Sequence, residues 1–139
     1  MLTRQFRYPG YANGHDGMVI EAAAGLLDQA GPEERIRAEA EEETGHHVRD
    51  VRKIFEAFMS PGSVTEKLHF FVGAYTPADL THPGGGIASE GEDIEVLELP
   101  LGQALAMIGT GEIADAKTIM LLQYAALHLF HDSRRPKVR

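Results

Sequence analysis

Four glutamates are crowded into one short stretch of the sequence. Glu39, Glu41, Glu42 and Glu43 lie within five positions, and Gly45 follows them. If the stretch is helical, each residue turns about 100° around the axis, so three of these glutamates share a wedge of roughly 100° while Glu41 points away. Glu39 and Glu43 are then one turn apart, with Cβ atoms about 5–6 Å from each other. The spacing therefore brings Glu39, Glu42 and Glu43 to one patch of helix surface.

Such a patch suits a divalent cation. Like charges at this spacing repel one another and destabilise an exposed helix slightly. A hard cation such as Mg²⁺ or Mn²⁺ reverses the sign of this effect, because it binds carboxylate oxygens at about 2.1 Å. The alternative is a solvated acidic helix face, since glutamate is a good helix former. On the residues alone, both hypotheses stand.

The helix that would carry the glutamates is bounded by clear sequence signals. Gly31 and Pro32 interrupt the chain, and proline is tolerated at the start of a helix. We therefore predict a helix over about Glu33 to Glu43. Gly45 lies where a left-handed cap residue would end it.

Strand-like segments lie on both sides of this helix. The predicted strands are LTRQFRY, MVIEA, VRKIFEAFMS, KLHFFVGAY and DIEVLELP. Two further helices are predicted in LGQALAMI and DAKTIMLLQYAALHLF, and the glycine-rich connection TPADLTHPGGGIASEGED is expected to be mobile and exposed. Strands mixed with three helices favour an α/β sandwich in one domain.

Composition excludes several classes of function. The 139 residues, 43% of them hydrophobic, suit one domain with a sizeable core. A formal net charge of −8 argues against nucleic acid as a partner. The absence of cysteine excludes disulfides and thiolate chemistry. The sequence shows neither a signal peptide nor an apolar run long enough to span a bilayer, so we expect a cytoplasmic protein without a membrane partner.

The acidic stretch resembles the signature of the Nudix hydrolases, whose helix reads R-E-apolar-x-E-E-x-G. The corresponding residues here are AEAEEETG, 38–45, so the spacing from Glu39 to Gly45 is intact. Ala38 stands where the family has an arginine that pairs with the glutamates, and Arg37 is adjacent. The segments LTRQFR, IEAAAGLLD, MSPGSVTEKLHFF, GGG, EDIEVLELP and GEIADAKT resemble the nucleoside-diphosphate-sugar branch of that family, so the likeness covers essentially the whole chain.

This resemblance implies a metal site. Glu39 and Glu43 would be the principal ligands, and Glu42 a third ligand or a catalytic residue that acts through water. The carbonyl of Ala24 would be a backbone ligand. Mg²⁺ is the expected cofactor, with Mn²⁺ as a possible substitute.

The resemblance also implies further catalytic residues. Glu92, with Glu90 and Asp93 as neighbours, would activate water, and a mobile loop could carry it into place after the substrate binds. Glu66 would lie near the metals or the substrate. The alternatives are an ordinary exposed loop acid for Glu92 and a strand-start acid for Glu66.

Three residues are implied to bind substrate. Arg4 and Arg7 would contact the diphosphate or a partner subunit, since guanidinium groups suit phosphate oxygens. Glu21 would touch the nucleotide base. As edge-strand residues, the two arginines would need no such role.

The implied fold is a Nudix-type α/β/α sandwich with a mixed β-sheet, and the implied assembly is a homodimer. The implied reaction is Mg²⁺-dependent hydrolysis of a nucleoside diphosphate sugar such as GDP-mannose to a nucleoside monophosphate and a sugar 1-phosphate. Hydrolysis of ADP-ribose is one alternative. Another is a catalytically weak domain that only binds or associates, because residues 1–139 correspond to a single domain without the family's N-terminal β-domain.

Overall fold

The computed structural model describes residues 1–27, 31–87, 89 and 91–130. Glu90, predicted as a neighbour of the catalytic acid, lies outside the described residues. The strands are β1 (Leu2–Phe6), β2 (Met18–Glu21), β3 (Arg49–Phe58), β4 (Lys67–Ala74) and β5 (Glu95–Leu97). The α-helices are α1 (Tyr8–Ala12), α2 (Pro32–Thr44), α3 (Leu101–Thr110) and α4 (Ala116–Tyr124). The predicted α/β class is confirmed.

The strands form two antiparallel sheets. In the first, β1 is the central strand, with β2 on one edge and β5 on the other. Thr3 pairs with Glu21 on β2 and with Val96 on β5. In the second sheet, β3 and β4 form a long hairpin with irregularities in its register. All pairing within the described ranges is antiparallel, so the mixed sheet that we expected is not found there. Two of the three pairings join consecutive strands, β1 with β2 and β3 with β4, and their connections are shorter than the crossover of a dozen or more residues that parallel pairing requires.

The main core lies between the first sheet and the helices α3 and α4. Its buried residues are Leu2, Ile20, Ala104, Ile113 and Leu122. Ile113 is only 1% exposed. Burying a side chain of this size stabilises the fold by about 1.5–3 kcal/mol. This core anchors β1, which contacts the acidic helix α2, and it packs α4 against β2.

Helix α2 begins and ends where the sequence predicts. Gly31 is its N-cap, and Pro32 occupies the first turn, where a missing N–H costs no hydrogen bond. Gly45 ends the helix in the left-handed conformation, with φ 74°, and its N–H donates to the carbonyl of Glu41 at 2.8 Å. The helix contacts β1, β3 and β4. It therefore presents its glutamates to the interior of the molecule rather than to solvent alone.

Two local predictions were wrong, and a third holds in part. The segment after β1, expected to be a loop, contains the single-turn helix α1, which starts with Pro9 in its first turn and has no apolar periodicity to reveal it. The predicted C-terminal helix is divided into α4 and a wider π-turn, Ala125–Leu129, closed by a hydrogen bond from Phe130 N to Ala125 O. The glycine-rich connection, expected to be mobile and exposed, is exposed over residues 76–78 and 80–83 but contains a 3₁₀ turn, Pro77–Asp79. Residues 84–87 are partly buried, and Gly85 and Gly86 donate hydrogen bonds to α2.

None of the helices in the described ranges combines the length and apolar composition needed to cross a bilayer.

Candidate active site

The predicted pair of glutamates lies on the buried side of α2. Glu39 is 6% exposed and Glu43 is 2% exposed. Carboxylates are seldom buried to this extent unless they are paired or serve a function, because removing a charge from water is costly. A solvated acidic helix face therefore does not describe these two residues. Glu41 points elsewhere, as the helical spacing predicts, and contacts His47 and Thr81.

Glu39 is held by its own helix and by the segment that follows β2. Its Oε1 forms an ion pair with Arg35, one turn earlier. A Cβ on Gly25 would overlap the same oxygen. Burial raises the pKa of Glu39, the charge of Arg35 opposes this, and the charges of Glu42 and Glu92 raise the pKa further. The close approach of Gly25 explains why this position carries no side chain.

Glu43 is the most unusual carboxylate of the site. Its Oε2 is buried and has no hydrogen-bond partner among the described residues. Burial raises the pKa of Glu43 to about 8, and the negative charges of Glu39, Glu21 and Glu92 act in the same direction. A backbone hydrogen bond from Ala24 opposes the shift. Glu43 thus lies in a concentration of negative charge that its protein neighbours do not neutralise.

These residues fit a hard divalent cation in their chemistry. The donors are carboxylate oxygens, and Glu43 Oε2 is an orphaned acceptor of the kind that a cation satisfies. Within the described residues, however, no three acidic or histidine side chains are already arranged to hold an ion. Arg35 pairs with Glu39 Oε1 and so neutralises part of the charge that a cation would meet there.

The predicted substrate-binding residues are brought together only in part. Arg7 and Glu21 contact each other, with Arg7 Nε 2.6 Å from Glu21 Oε1. Glu21 is 5% exposed, and its charge acts on Glu43, so it belongs to the same acidic region. Arg4 forms an ion pair with Glu95 on the neighbouring strand β5. Both arginines are therefore engaged by carboxylates of the chain itself.

The predicted catalytic acids lie in different places. Glu92 Oε2 accepts a hydrogen bond from the N–H of Ile87 at 2.7 Å, and its charge raises the pKa of both Glu39 and Glu43. Glu42 is half-buried and also raises the pKa of Glu39. Glu66 is exposed just before β4 and lines a cavity whose wall also includes Arg35. The structure therefore groups Glu42 and Glu92 with the buried pair, whereas Glu66 lies at the hairpin.

That cavity has a volume of about 440 Å³. It is lined mostly by apolar side chains from α2 and β4 and by the segment that follows β2, residues 22–27. Glu66, Lys117 and Arg35 are charged groups in its wall. A cavity of this size and character is typical of small-molecule sites, and Arg35 connects it to Glu39.

A buried polar cluster joins the start of α4 to the end of β2. Thr118, which is fully buried, accepts a hydrogen bond from Ala22 N–H at 2.8 Å and donates one to Asp115 Oδ2 at 2.7 Å. Lys117 Nζ lies 2.5 Å from Asp115 Oδ1 and 3.9 Å from Glu21 Oε2. The cluster fixes the backbone that leads from β2 to Ala24 and Gly25.

Comparison with known proteins gives one consistent result. The chain is 58% identical to the GDP-mannose pyrophosphatase of Pectobacterium atrosepticum over 128 residues, which are 91% of this chain and 65% of that protein. It is 58% identical to the enzyme of the same name from Klebsiella pneumoniae over 125 residues, 89% of this chain and 62% of that protein. It is 55% identical to the enzyme of that name from Salmonella arizonae over 132 residues, which are 94% of this chain and 67% of that protein. The chain belongs to the GDP-mannose pyrophosphatase family.

This chain spans less than two thirds of the length of the Pectobacterium and Klebsiella members of the GDP-mannose pyrophosphatase family. No protein-family model matches it.

In this member of the GDP-mannose pyrophosphatase family, sequence reasoning missed three residues of the site. Arg35, rather than Arg37, contacts Glu39; the spacing of four residues between Arg35 and Glu39 was a usable signal. Arg37 instead pairs with Glu33 and donates to the carbonyl of Val48. Lys117 and Thr118 belong to the GEIADAKT segment, but the sequence analysis assigned no role to either residue. Thr118 could have been found from the helix-cap pattern, in which Asp115 accepts from the N–H three residues later.

Proposed function

We propose that this member of the GDP-mannose pyrophosphatase family is a Nudix hydrolase that cleaves the diphosphate of a nucleoside diphosphate sugar, with GDP-mannose as its preferred substrate. The products are a nucleoside monophosphate and a sugar 1-phosphate. The observation that carries the proposal is the buried pair Glu39 and Glu43, in which one oxygen has no partner in the described chain, in a chain 55–58% identical to proteins of that name.

The chemistry follows from charge. A dianionic diphosphate is repelled by an acidic site, so a cation must lie between the two. Mg²⁺ bound at Glu39 and Glu43, with Glu42 and the carbonyl of Ala24 as further ligands, would neutralise the phosphate oxygens and stabilise charge on the leaving phosphate. Glu42 is also the catalytic candidate that acts through water.

The remaining steps belong to the chain's own residues. Water attacks one phosphorus, the bridging P–O bond breaks, and the proton of the water passes to a carboxylate. Glu92 is the proposed base, because its carboxylate lies near the buried pair and accepts a hydrogen bond from the N–H of Ile87. Positioning and electrostatics supply the rate enhancement, and no covalent intermediate is required.

Substrate binding is assigned to cationic side chains around this site. Arg7 and Arg4 are proposed to contact the diphosphate, which requires each to exchange its present carboxylate partner for phosphate oxygens. Glu21 is proposed to contact the nucleobase. Glu66, in the cavity wall, is proposed to contact the substrate after binding.

A panel of nucleotide sugars tests the proposal. The chain is incubated with Mg²⁺ and GDP-mannose, ADP-ribose or UDP-glucose, and the products are separated by ion exchange. We expect the fastest turnover with GDP-mannose, giving GMP and mannose 1-phosphate. Faster turnover of ADP-ribose would reassign the substrate, and a rate no higher than that of the Glu43→Gln variant would refute hydrolysis at this site.

A homodimer is part of the same proposal. It is supported by a group of exposed aromatic side chains around α1, Phe6, Tyr8 and Tyr11, which are 54%, 69% and 58% exposed. Exposed apolar patches of this kind often mark interaction surfaces. Sedimentation equilibrium decides the question, since a monomer at micromolar concentration would contradict the assignment.

A further inference from the structure

Three consecutive glycines, Gly84–Gly86, form a segment that only glycine readily adopts. Their φ angles are 73°, 108° and 75°, all in the region that side-chain-bearing residues avoid. Three positive angles in succession create a tightly folded strip of backbone whose N–H groups are free to face another element. We refer to these three residues as the triglycine segment.

One side of the triglycine segment docks on the end of α2. Gly85 N–H donates to the carbonyl of Glu43 at 2.8 Å, and Gly86 N–H donates to the carbonyl of Glu42 at 3.2 Å. These carbonyls belong to the last turn of the helix, where no intrahelical donor remains. A Cβ on Gly84 would lie only 2.6 Å from the carbonyl oxygen of Glu43. The segment therefore caps the same turn of helix that carries the two glutamates.

The other side of the triglycine segment contacts Glu92. A Cβ on Gly86 would overlap Glu92 Oε2 and would lie 2.9 Å from both Glu92 Cβ and Ile94 Cδ1. The next backbone N–H, that of Ile87, donates to Glu92 Oε2 at 2.7 Å. Ile94 N–H donates to the carbonyl of Gly85 at 3.3 Å, so the chain on the far side of Glu92 is also tied to the segment. The Glu92 carboxylate is therefore held by a backbone N–H, and the chain two residues after Glu92 is held by a second hydrogen bond to the segment.

We propose that the triglycine segment is a positioning element that couples the last turn of α2 to Glu92, with Gly86 as its critical residue. The absence of a side chain at Gly86 leaves the space in which the Glu92 carboxylate lies against the Ile87 N–H. The proposal rests on the proposed function, because Glu92 is the base assigned there. In this proposal the segment holds the acid in place before substrate binds.

The charge of Glu92 is consistent with this placement, since it acts on both Glu39 and Glu43. If the segment moved, the distance between the base and the buried pair would change with it. A displacement of about 1 Å at a catalytic group costs up to roughly 100-fold in rate.

A matched pair of glycine variants tests the proposal. Gly86 and Gly91 have φ angles of 75° and 80°, so alanine meets a similar backbone strain at either position. Only at Gly86 does the added methyl group meet Glu92, because nothing lies within 4 Å of a Cβ on Gly91. We expect Gly86→Ala to lower kcat by about 10- to 100-fold with KM little changed, and Gly91→Ala to stay near the parent. Equal losses in the two variants would overturn the proposal.

A double-mutant cycle separates positioning from general damage. If Gly86→Ala acts through Glu92, it should cost no further kcat in a Glu92→Gln background. Its cost in unfolding free energy should remain the same in both backgrounds. Additive losses of kcat would show that Gly86 acts independently of Glu92 and would overturn the proposal.

Amide hydrogen exchange provides a readout that needs no activity. We expect the Ile87 N–H to exchange slowly in the parent and in Gly91→Ala, and fast in Gly86→Ala and in Glu92→Ala. Fast exchange in the parent, or slow exchange in Glu92→Ala, would overturn the proposal. If no nucleotide sugar is hydrolysed, the proposed function fails by itself, and the exchange rates alone decide whether the segment holds Glu92.

Discussion

The Glu39 carboxylate occupies the space that a Cβ on Gly25 would fill. Gly25 follows β2, whereas Glu39 is on α2, so a glycine in one element allows a buried carboxylate in another. The contact differs from those at Gly45 or Gly86, because Gly25 does not have a positive φ and is needed for space alone. The relationship makes the segment that follows β2, residues 22–27, part of the site.

Gly25→Ala should therefore impair catalysis more than folding. The methyl group meets the flexible end of Glu39, which can move aside, so we expect a loss of about 1 kcal/mol in unfolding free energy. The moved carboxylate is out of place for catalysis, so kcat should fall by about 10-fold or more. Steady-state kinetics and urea unfolding measure both effects. Gly62→Ala is the control, since nothing lies within 4 Å of a Cβ there. Parent-like kcat in Gly25→Ala would contradict the prediction.

Glu43→Gln should separate activity from stability. The substitution keeps the shape of the side chain and replaces a proposed metal-binding carboxylate, one oxygen of which has no partner in the described chain, by an amide, so turnover should fall by about 100-fold or more while the fold persists. Mg²⁺ should raise the Tm of the parent, because a cation that binds only the folded chain stabilises it, and should raise that of the variant much less. Differential scanning fluorimetry with and without EDTA measures this.

The control for this experiment is Glu34→Gln, which removes an exposed carboxylate from the first turn of the same helix. It should keep both the turnover and the response of the Tm to Mg²⁺. If Mg²⁺ shifts the Tm of Glu43→Gln as much as that of the parent, Glu43 is not a ligand.

Local signals explain why the acidic helix was predictable. Gly31, Pro32 and Gly45 set the helix ends through the backbone conformations that they favour locally. The helical repeat alone brings Glu39 and Glu43 together. Both bounds of α2 and the side on which the glutamates lie follow from such short-range rules.

Contacts between distant segments were not predictable in this way. Thr118 and Ala22 are 96 residues apart, and their hydrogen bond exists only because the core packs α4 against β2. The hydrogen bonds of Gly85 and Gly86 were not predictable either, because their acceptors are carbonyls of α2 that become available only at the end of the folded helix. The composition of a segment indicates its local conformational preferences, whereas its contacts in the fold depend on residues that are distant in the sequence.

Thr118→Val should destabilise the chain by about 1–3 kcal/mol. Valine has nearly the shape of threonine but removes the acceptor for Ala22 N–H and the donor to Asp115 Oδ2 in a fully buried place. Thr118→Ser keeps the hydroxyl and should lose much less stability than the valine variant. Urea unfolding of the three proteins measures the difference. Similar unfolding midpoints for the serine and valine variants would show that packing, and not the hydrogen bonds, matters at this position.

Asp115 predicts a specific pH dependence of stability. Burial alone would raise the pKa of Asp115, but hydrogen bonds from Lys117 and Thr118 outweigh it and hold the pKa below the ordinary value of 3.8. A carboxylate whose pKa is lowered by folding stabilises the folded chain at pH values above its unfolded pKa. That contribution is lost as the pH falls from 3.8 through the folded value, because protonation removes the favoured charge.

Asp115→Asn isolates this contribution, because asparagine has the same shape and can still cap the helix but carries no charge. At pH 7 the variant should be less stable than the parent by about 1 kcal/mol or more. The difference should be constant down to about pH 5 and should shrink below it, since the unfolded chain and then the folded parent take up a proton at this carboxylate. Guanidinium unfolding at several pH values measures the difference, with the exposed Asp93→Asn as the control. A difference that stays constant below pH 3 would contradict the prediction, because it would then arise from the amide and not from the charge.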